Sequence, residues 1–301
     1  MTIDIHAHFD DATNTVSYIV ADKAGGHAAI IDPVLDYEPR SGRLAVDSAD
    51  ALLARVKQLG LTLDYVLETH AHADHLTAAH YIREKTGARV VIGEHISDVQ
   101  SLFVPIFEAD DIADGDGDHS GVFDILVADD HVLPLGETEI HVMHTPGHTP
   151  ACLTYLIGDA AFVGDTLFMP DYGTARADFP GGDAATLYRS IRKILERPAA
   201  TRIFVGHDYL PETRSQFAWE TSVDEQRRAN VHVHDGVSEE DFVAMRGARD
   251  AKLAAPTLIL PAIQVNIRGG AMPPATEQGH VYLRIPVNGF PVASPMPKGL
   301  D

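Results

Sequence analysis

The sequence predicts an α/β layered domain, and three observations carry that prediction. Apolar runs of strand length alternate with helical patterns along most of residues 15 to 205. Four of these runs, ending near Leu67, Met143, Val163 and Val205, lead into a turn that carries histidine or aspartate. No apolar stretch approaches the length of a membrane span, so the runs read as core strands.

Composition narrows the function classes. The 301 residues suffice for one large domain or two modest ones. With 44 acidic against 23 basic residues the formal charge is -21, which argues against nucleic acid as a partner. The opening Met1-Thr-Ile-Asp-Ile has neither a basic nor an apolar leader region, so no signal peptide and no membrane partner are expected. A single cysteine, Cys152, excludes an internal disulfide framework and fits a reducing, cytoplasmic setting.

Taken in order, Thr15 to Val20 and Ala28 to Ile31 read as a hairpin turned at Gly25-Gly26 and closed by Asp32-Pro33. His6-x-His8 upstream resembles the opening of barrel amidohydrolases, but a hairpin follows where that fold needs a strand-helix repeat, so both read as edge or surface residues. Asp47 or Ser48 is the expected N-cap of a helix that buries Leu52, Leu53, Val56 and Leu59 and stops at Gly60. A strand from Leu63 to Leu67 follows, then a helix over residues 78 to 85 and a strand over 89 to 92. The acidic, Gly-rich run Asp114 to His119 resembles a calcium loop without its closing glutamate and reads as a solvated loop. Strands are expected over 140 to 143, 153 to 157, 161 to 163 and 202 to 205, and an Asp183-capped helix over 184 to 196. Two further helices fall near 222 to 229 and 238 to 249, with Ser238 and Asp241 as a capping box. His232-x-His234 between them is a weak metal signal. After Gly269-Gly270 the many prolines suggest an irregular arm with a partial strand at Val281 to Ile285.

The chemistry concentrates in His70-Ala71-His72-Ala73-Asp74-His75, four metal-capable side chains within six residues directly after a strand. A histidine-rich solvated loop is the plain alternative. Against it stand His148 after Pro146-Gly147, Asp165 after Gly164, and His207 after Gly206, each at another strand end. Singly, each could brace a turn or cap a helix; repetition of one chemical type at four strand ends points to one metal site.

In this order the set resembles the metallo-β-lactamase superfamily over about residues 13 to 210. That resemblance implies an αββα metallo-β-lactamase sandwich, two central sheets flanked by helices, with the metal site at one edge. In binuclear members the first metal takes the positions of His70, His72 and His148, the second those of Asp74, His75 and His207, and Asp165 bridges. A narrower resemblance, to the persulfide dioxygenase branch, rests on Arg176-Ala177-Asp178-Phe179, on Gly181-Gly182 and Leu187-Tyr188, on Gly206-His207-Asp208-Tyr209, and on the opening strand from Thr13 to Val20. The Pro-rich arm resembles a bacterial subgroup of β-lactamase-like hydrolases.

The branch implies one Fe(II) per chain, held by His70, His148 and Asp165, with His72, Asp74, His75 and His207 around it or on a second metal. Glutathione persulfide and dioxygen are the implied substrates, and sulfite and glutathione the products. Asp74, Arg176 and Tyr209 are the candidate catalytic residues, the last two orienting glutathione. The alternative is a glyoxalase II-like thioester hydrolase with one or two Zn(II). Against it, position 208 is aspartate where that enzyme usually has glutamate, and no basic cluster matches its glutathione-binding C-terminal domain. Departures from the dioxygenase pattern are Ala175, where glycine is usual, and the loop Asp171-Tyr172-Gly173-Thr174. A non-enzymatic sulfur-sensing module would be expected to have eroded ligands, and all seven are intact; a homodimer is allowed. The expected organisation is a catalytic domain over 1 to 270, with motif core 13 to 210 and helical part 211 to 255, then the arm over 271 to 301.

Overall fold

The computed structural model describes residues 3–23, 26–113 and 122–289. Gly25 of the expected turn and the calcium-like run from Asp114 to His119 lie outside the described residues. The first sheet is built from β1 (Ile3–Asp10), β2 (Thr15–Asp22), β3 (His27–Ile31), β6 (Thr62–Leu67), β8 (Arg89–Gly93) and β9 (Ile125–Val127), hydrogen-bonded in that order. The second runs β10 (Val132–Leu135), β11 (Thr138–His144), β12 (Leu153–Ile157), β13 (Ala160–Phe162), β14 (Arg202–Phe204) and β15 (Glu220–Ser222). A small third sheet pairs β5 (Arg43–Ala45), β4 (Val34–Glu38) and β7 (Leu76–Thr77). The helices are α1 (Asp47–Gln58), α2 (Ala79–Thr86), α3 (Ile96–Phe107), α4 (Asp110–Ala113), α5 (Ala184–Leu195), α6 (Val223–Ala229), α7 (Glu239–Asp250) and α8 (Ile259–Asn266).

Period-2 alternation builds the sandwich. On β2, Tyr18 and Val20 face the second sheet and pack with Leu153, Tyr155 and Phe162, while Ile19 turns outward to Leu52 and Val56 of α1 and Ile82 of α2. On the far side, Val163, Ile203 and Val205 pack under Leu187, Ile191 and Ile194 of α5 and Phe242 of α7. The layers are therefore helix, sheet, sheet, helix, as the αββα expectation had it. Each fully buried Leu, Ile, Val or Phe contributes about 1.5–3 kcal/mol, so three continuous apolar layers leave the rim free to carry costly polar groups.

Several local expectations hold. Asp183 caps α5 through the Thr186 N–H at 2.7 Å, and Ser238 accepts from the Asp241 N–H at 3.1 Å while donating to its carboxylate at 2.6 Å. Gly87 closes α2 with φ 76°. His6 and His8 lie half-buried on the edge strand β1.

Others are corrected. Neither Asp47 nor Ser48 caps α1: the cap position is Val46, and the Asp36 carboxylate of β4 takes the Ser48 N–H instead. Residues 281 to 285 form no strand; the segment is held by Gln264 of α8, which accepts from the Arg284 N–H and donates to its carbonyl. Helical structure also runs past residue 255, because α8 packs Ala262, Ile263 and Val265 into the layer outside the first sheet.

Candidate metal centre

The predicted ligands come together at one edge of the sandwich. β6 ends in the buried loop 68–75, β11 leads to His148, β13 to Asp165 and β14 to His207. A bridge from Thr15 to His207 and a hydrogen bond from the Tyr18 hydroxyl to the Val205 carbonyl tie the two sheets together there. Gly164 sits at φ 49° against Thr69, where a Cβ would meet Thr69 Oγ1 at 2.5 Å, so only glycine lets the Asp165 turn approach the histidine loop.

Among the described residues three metal-capable groups form: His70, His148 and Asp165; beside them His72, Asp74, His75 and His207; and behind these Asp32, Glu68 and His72; within each, the candidate ligand atoms lie within 4.8 Å of one another. In the first, His70 Nε2 and His148 Nε2 stand 3.9 and 3.7 Å from Asp165 Oδ2. In the second, His207 Nε2 is 3.2 Å from Asp74 Oδ2 and 3.3 Å from Asp165 Oδ1, so Asp165 faces both groups. Beneath His72 lie two buried carboxylates, Asp32 Oδ1 at 3.1 Å and Glu68 Oε2 at 3.6 Å from its Nε2.

Outer partners fix the imidazoles for ligation. Thr69 Oγ1 donates to Asp32 at 2.8 Å and so accepts from His70 Nδ1 at 3.0 Å. His148 Nδ1 donates to the Arg176 carbonyl at 2.8 Å and His207 Nδ1 to that of Asn14 at 3.3 Å. At His70 and His148, Nε2 is thereby left with a bare lone pair pointing inward, while His207 Nε2 faces the Asp74 and Asp165 carboxylates. Burial and neighbouring imidazoles hold His70 and His72 well below the ordinary histidine range, so both stay neutral. At His207 burial acts downward, but the Asp74 and Asp165 carboxylates together outweigh it and raise the group.

The donor set fits a metal. Among the described residues, ten buried side-chain polar atoms lack a hydrogen-bond partner, and seven belong to these histidines and aspartates. Orphans concentrated at one spot would each cost about 1–3 kcal/mol unless a cation satisfies them.

Beside the first group opens a cavity of about 170 Å³, lined by Phe168, Tyr172, Arg176, Tyr209, Arg246 and Arg249 with His148, Asp165 and Asp74. A wider groove of about 890 Å³ adjoins it through Asp74, Arg176 and Tyr209. The Tyr209 ring stacks on Tyr172 and on His207. The Arg176 guanidinium is committed to Asp178 at 2.5 and 2.7 Å and to the Ala254 carbonyl at 2.6 Å, so it shapes the wall.

Two basic residues that the sequence reading did not single out line the cavity. Arg246 and Arg249 stand three apart on α7 and both reach the cavity, and i, i+3 spacing was the signal for them. Asp32 was legible by the same sign as Asp165, an apolar strand ending in aspartate. The His232-x-His234 pair lies away from the metal groups: His232 Nδ1 accepts the Thr174 N–H at 3.1 Å and braces the loop that carries Tyr172.

Known proteins share this sequence pattern and fold. The Metallo-beta-lactamase superfamily profile matches residues 10–207. A probable metallo-hydrolase of Burkholderia pseudomallei is 50% identical over 297 residues, covering 95% of this chain and 99% of that protein. The human mitochondrial persulfide dioxygenase ETHE1 is 30% identical over 269 residues, covering 88% of each. The crystal structure of ETHE1 from Myxococcus xanthus superposes with a TM-score of 0.71 at 30% identity, covering 89% of this chain and all of that one. Some bacterial relatives at 47% identity are longer, and the chain spans 65% of their length. By sequence and by fold, then, this chain belongs to the metallo-beta-lactamase superfamily.

Proposed function

We propose that the protein is a mononuclear non-haem iron dioxygenase that oxidises glutathione persulfide, or a similar low-molecular-weight persulfide, to sulfite and thiol. The observation that carries this reading is the two-histidine, one-carboxylate face of His70, His148 and Asp165, opening directly on a small cavity that Arg249 lines. Similarity to a persulfide dioxygenase supports it over 88% of the chain. Fe(II), when bound there, would supply the redox chemistry that activates dioxygen. One dioxygen and one water provide the three oxygens of sulfite, and two protons are released with the thiol.

The protein's own share is binding, orientation and proton control. Arg249 is exposed at the cavity and would take a glutathione carboxylate; buried Arg246 adds field from behind it. Burial, with the Asp74 and Asp165 carboxylates, pushes the Tyr209 phenol up, so it remains a donor at neutral pH. Asp74, beside His207 and at the mouth of both cavities, is placed to hold a water and accept its proton.

The second reading, a binuclear zinc thioester hydrolase, is favoured by the intact His72, Asp74, His75 and His207 group and by the 50%-identical relative named a probable metallo-hydrolase. Metal analysis with two assays separates them. The proposal expects about one iron per chain and oxygen uptake on fresh glutathione persulfide. Two zincs per chain with hydrolysis of S-lactoylglutathione, and no oxygen uptake after full iron loading, would overturn it.

A further inference from the structure

The loop that carries His70, His72, Asp74 and His75 is buried yet has almost no regular structure, so its backbone polar groups need partners from elsewhere. One side chain supplies two of them and binds the neighbouring strand β7 as well. Asn266, the last residue of α8 and itself buried, donates from Nδ2 to the carbonyls of His72 and His75, both at 2.8 Å. Its Oδ1 accepts the Thr77 N–H at 2.9 Å. The amide orientation follows from the partners, since two carbonyls demand donors and the N–H demands an acceptor. Asp74 lies between the two clamped carbonyls, and α8 lies beyond the residues matched by the superfamily profile.

From this geometry we infer that Asn266 is a positioning residue of the metal centre, through which α8 sets how firmly the 70–75 loop presents its ligands. It touches neither metal nor substrate and acts through the backbone of His72 and His75. The inference rests on the metal site and not on which reaction the site performs. The helix is anchored independently: Gln100 Nε2 donates to the Ile267 carbonyl at 2.9 Å. That contact leaves the metal loop untouched, which makes Gln100→Ala a control for simple loosening of α8.

The test compares release of Zn(II) to excess chelator, and the visible spectrum of the Co(II)-substituted protein, in the wild type, Asn266→Ala, Asn266→Asp and Gln100→Ala. The aspartate variant keeps an acceptor for Thr77 but loses both donors, so it serves where the alanine variant fails to fold. The expected result is about tenfold or faster release and shifted Co(II) bands in the Asn266 variants, by analogy with groups that orient ligands from outside. Gln100→Ala should release metal at the wild-type rate even where its Tm falls as far. Release in the Asn266 variants that matches Gln100→Ala at equal Tm, with unshifted Co(II) bands, overturns the inference and leaves the metal site itself standing.

Discussion

His148 Nδ1 donates to the backbone carbonyl of Arg176 at 2.8 Å, so a candidate metal-ligating histidine and a wall of the adjoining cavity share one hydrogen bond. Because the acceptor is main chain, the two functions separate by mutation. Arg176→Ala retains the carbonyl but frees Asp178 and the Ala254 segment. Metal content should stay at the wild-type value while KM for the persulfide rises about tenfold, the scale of one charged hydrogen bond. His148→Ala, by contrast, should lose the metal and all turnover. Metal analysis beside steady-state kinetics checks both; loss of metal in Arg176→Ala would refute the separation.

The two arginines of α7 should also part company. Arg249 faces the cavity and forms no ion pair among the described residues, so Arg249→Ala should raise KM about tenfold with Tm unchanged, and the difference should shrink in high salt. Arg246 is buried with Asp250, at 2.6 Å, and Asp250 also accepts the Ala177 N–H at 2.9 Å. Removing it strands a buried carboxylate and should cost about 3–5 kcal/mol of stability. Thermal unfolding of the two variants distinguishes substrate binding from support.

Much of this site was legible in the sequence because strand ends place ligands locally: Asp165 and His207 each follow an apolar run by two or three residues. What escaped was set by distant segments. Asn266 reaches the 72–77 loop across about 190 residues of chain, and no local pattern marks a helix-terminal asparagine as a clamp. The α1 cap failed similarly: Asp36 on a neighbouring strand outcompeted the local candidates Asp47 and Ser48. The strand expected at 281 to 285 has β propensity but a glutamine side chain, not a strand, as its partner.

Cys152 invites a thiol mechanism for the proposed persulfide chemistry, and its surroundings argue against one. The side chain is buried, burial pushes the thiol up to about 12, and Thr149 N–H and Oγ1 lie 3.3 and 3.1 Å from Sγ. Almost no thiolate exists at neutral pH. The native protein should therefore resist iodoacetamide, and Cys152→Ala should keep the proposed persulfide oxidation within about twofold of wild type while losing about 1 kcal/mol of stability. Labelling followed by intact-mass measurement, with oxygen uptake on the variant, checks this; rapid inactivation by alkylation would show the thiol to be accessible.

Acid should loosen the cavity through His232. Gly173, at φ 103°, lies so close that a Cβ there would meet His232 Nδ1 at 2.1 Å, and that nitrogen must stay unprotonated to accept the Thr174 N–H. Burial, then the charges of Arg249 and Arg246, lower His232 from 6.5 to about 4. Between these values the unfolded chain binds the proton that the folded chain refuses, so stability is full above about pH 6.5 and falls as pH drops toward 4. After allowance for solvent screening the loss is about 2 kcal/mol. The loop also carries Tyr172, which stacks on Tyr209, so KM should rise over the same window. His232→Gln can keep an acceptor for Thr174 without a titrating group. With metal held saturating, its Tm should fall less than that of the wild type between pH 7 and pH 4.5; parallel Tm curves would exclude His232 as the acid-sensitive brace.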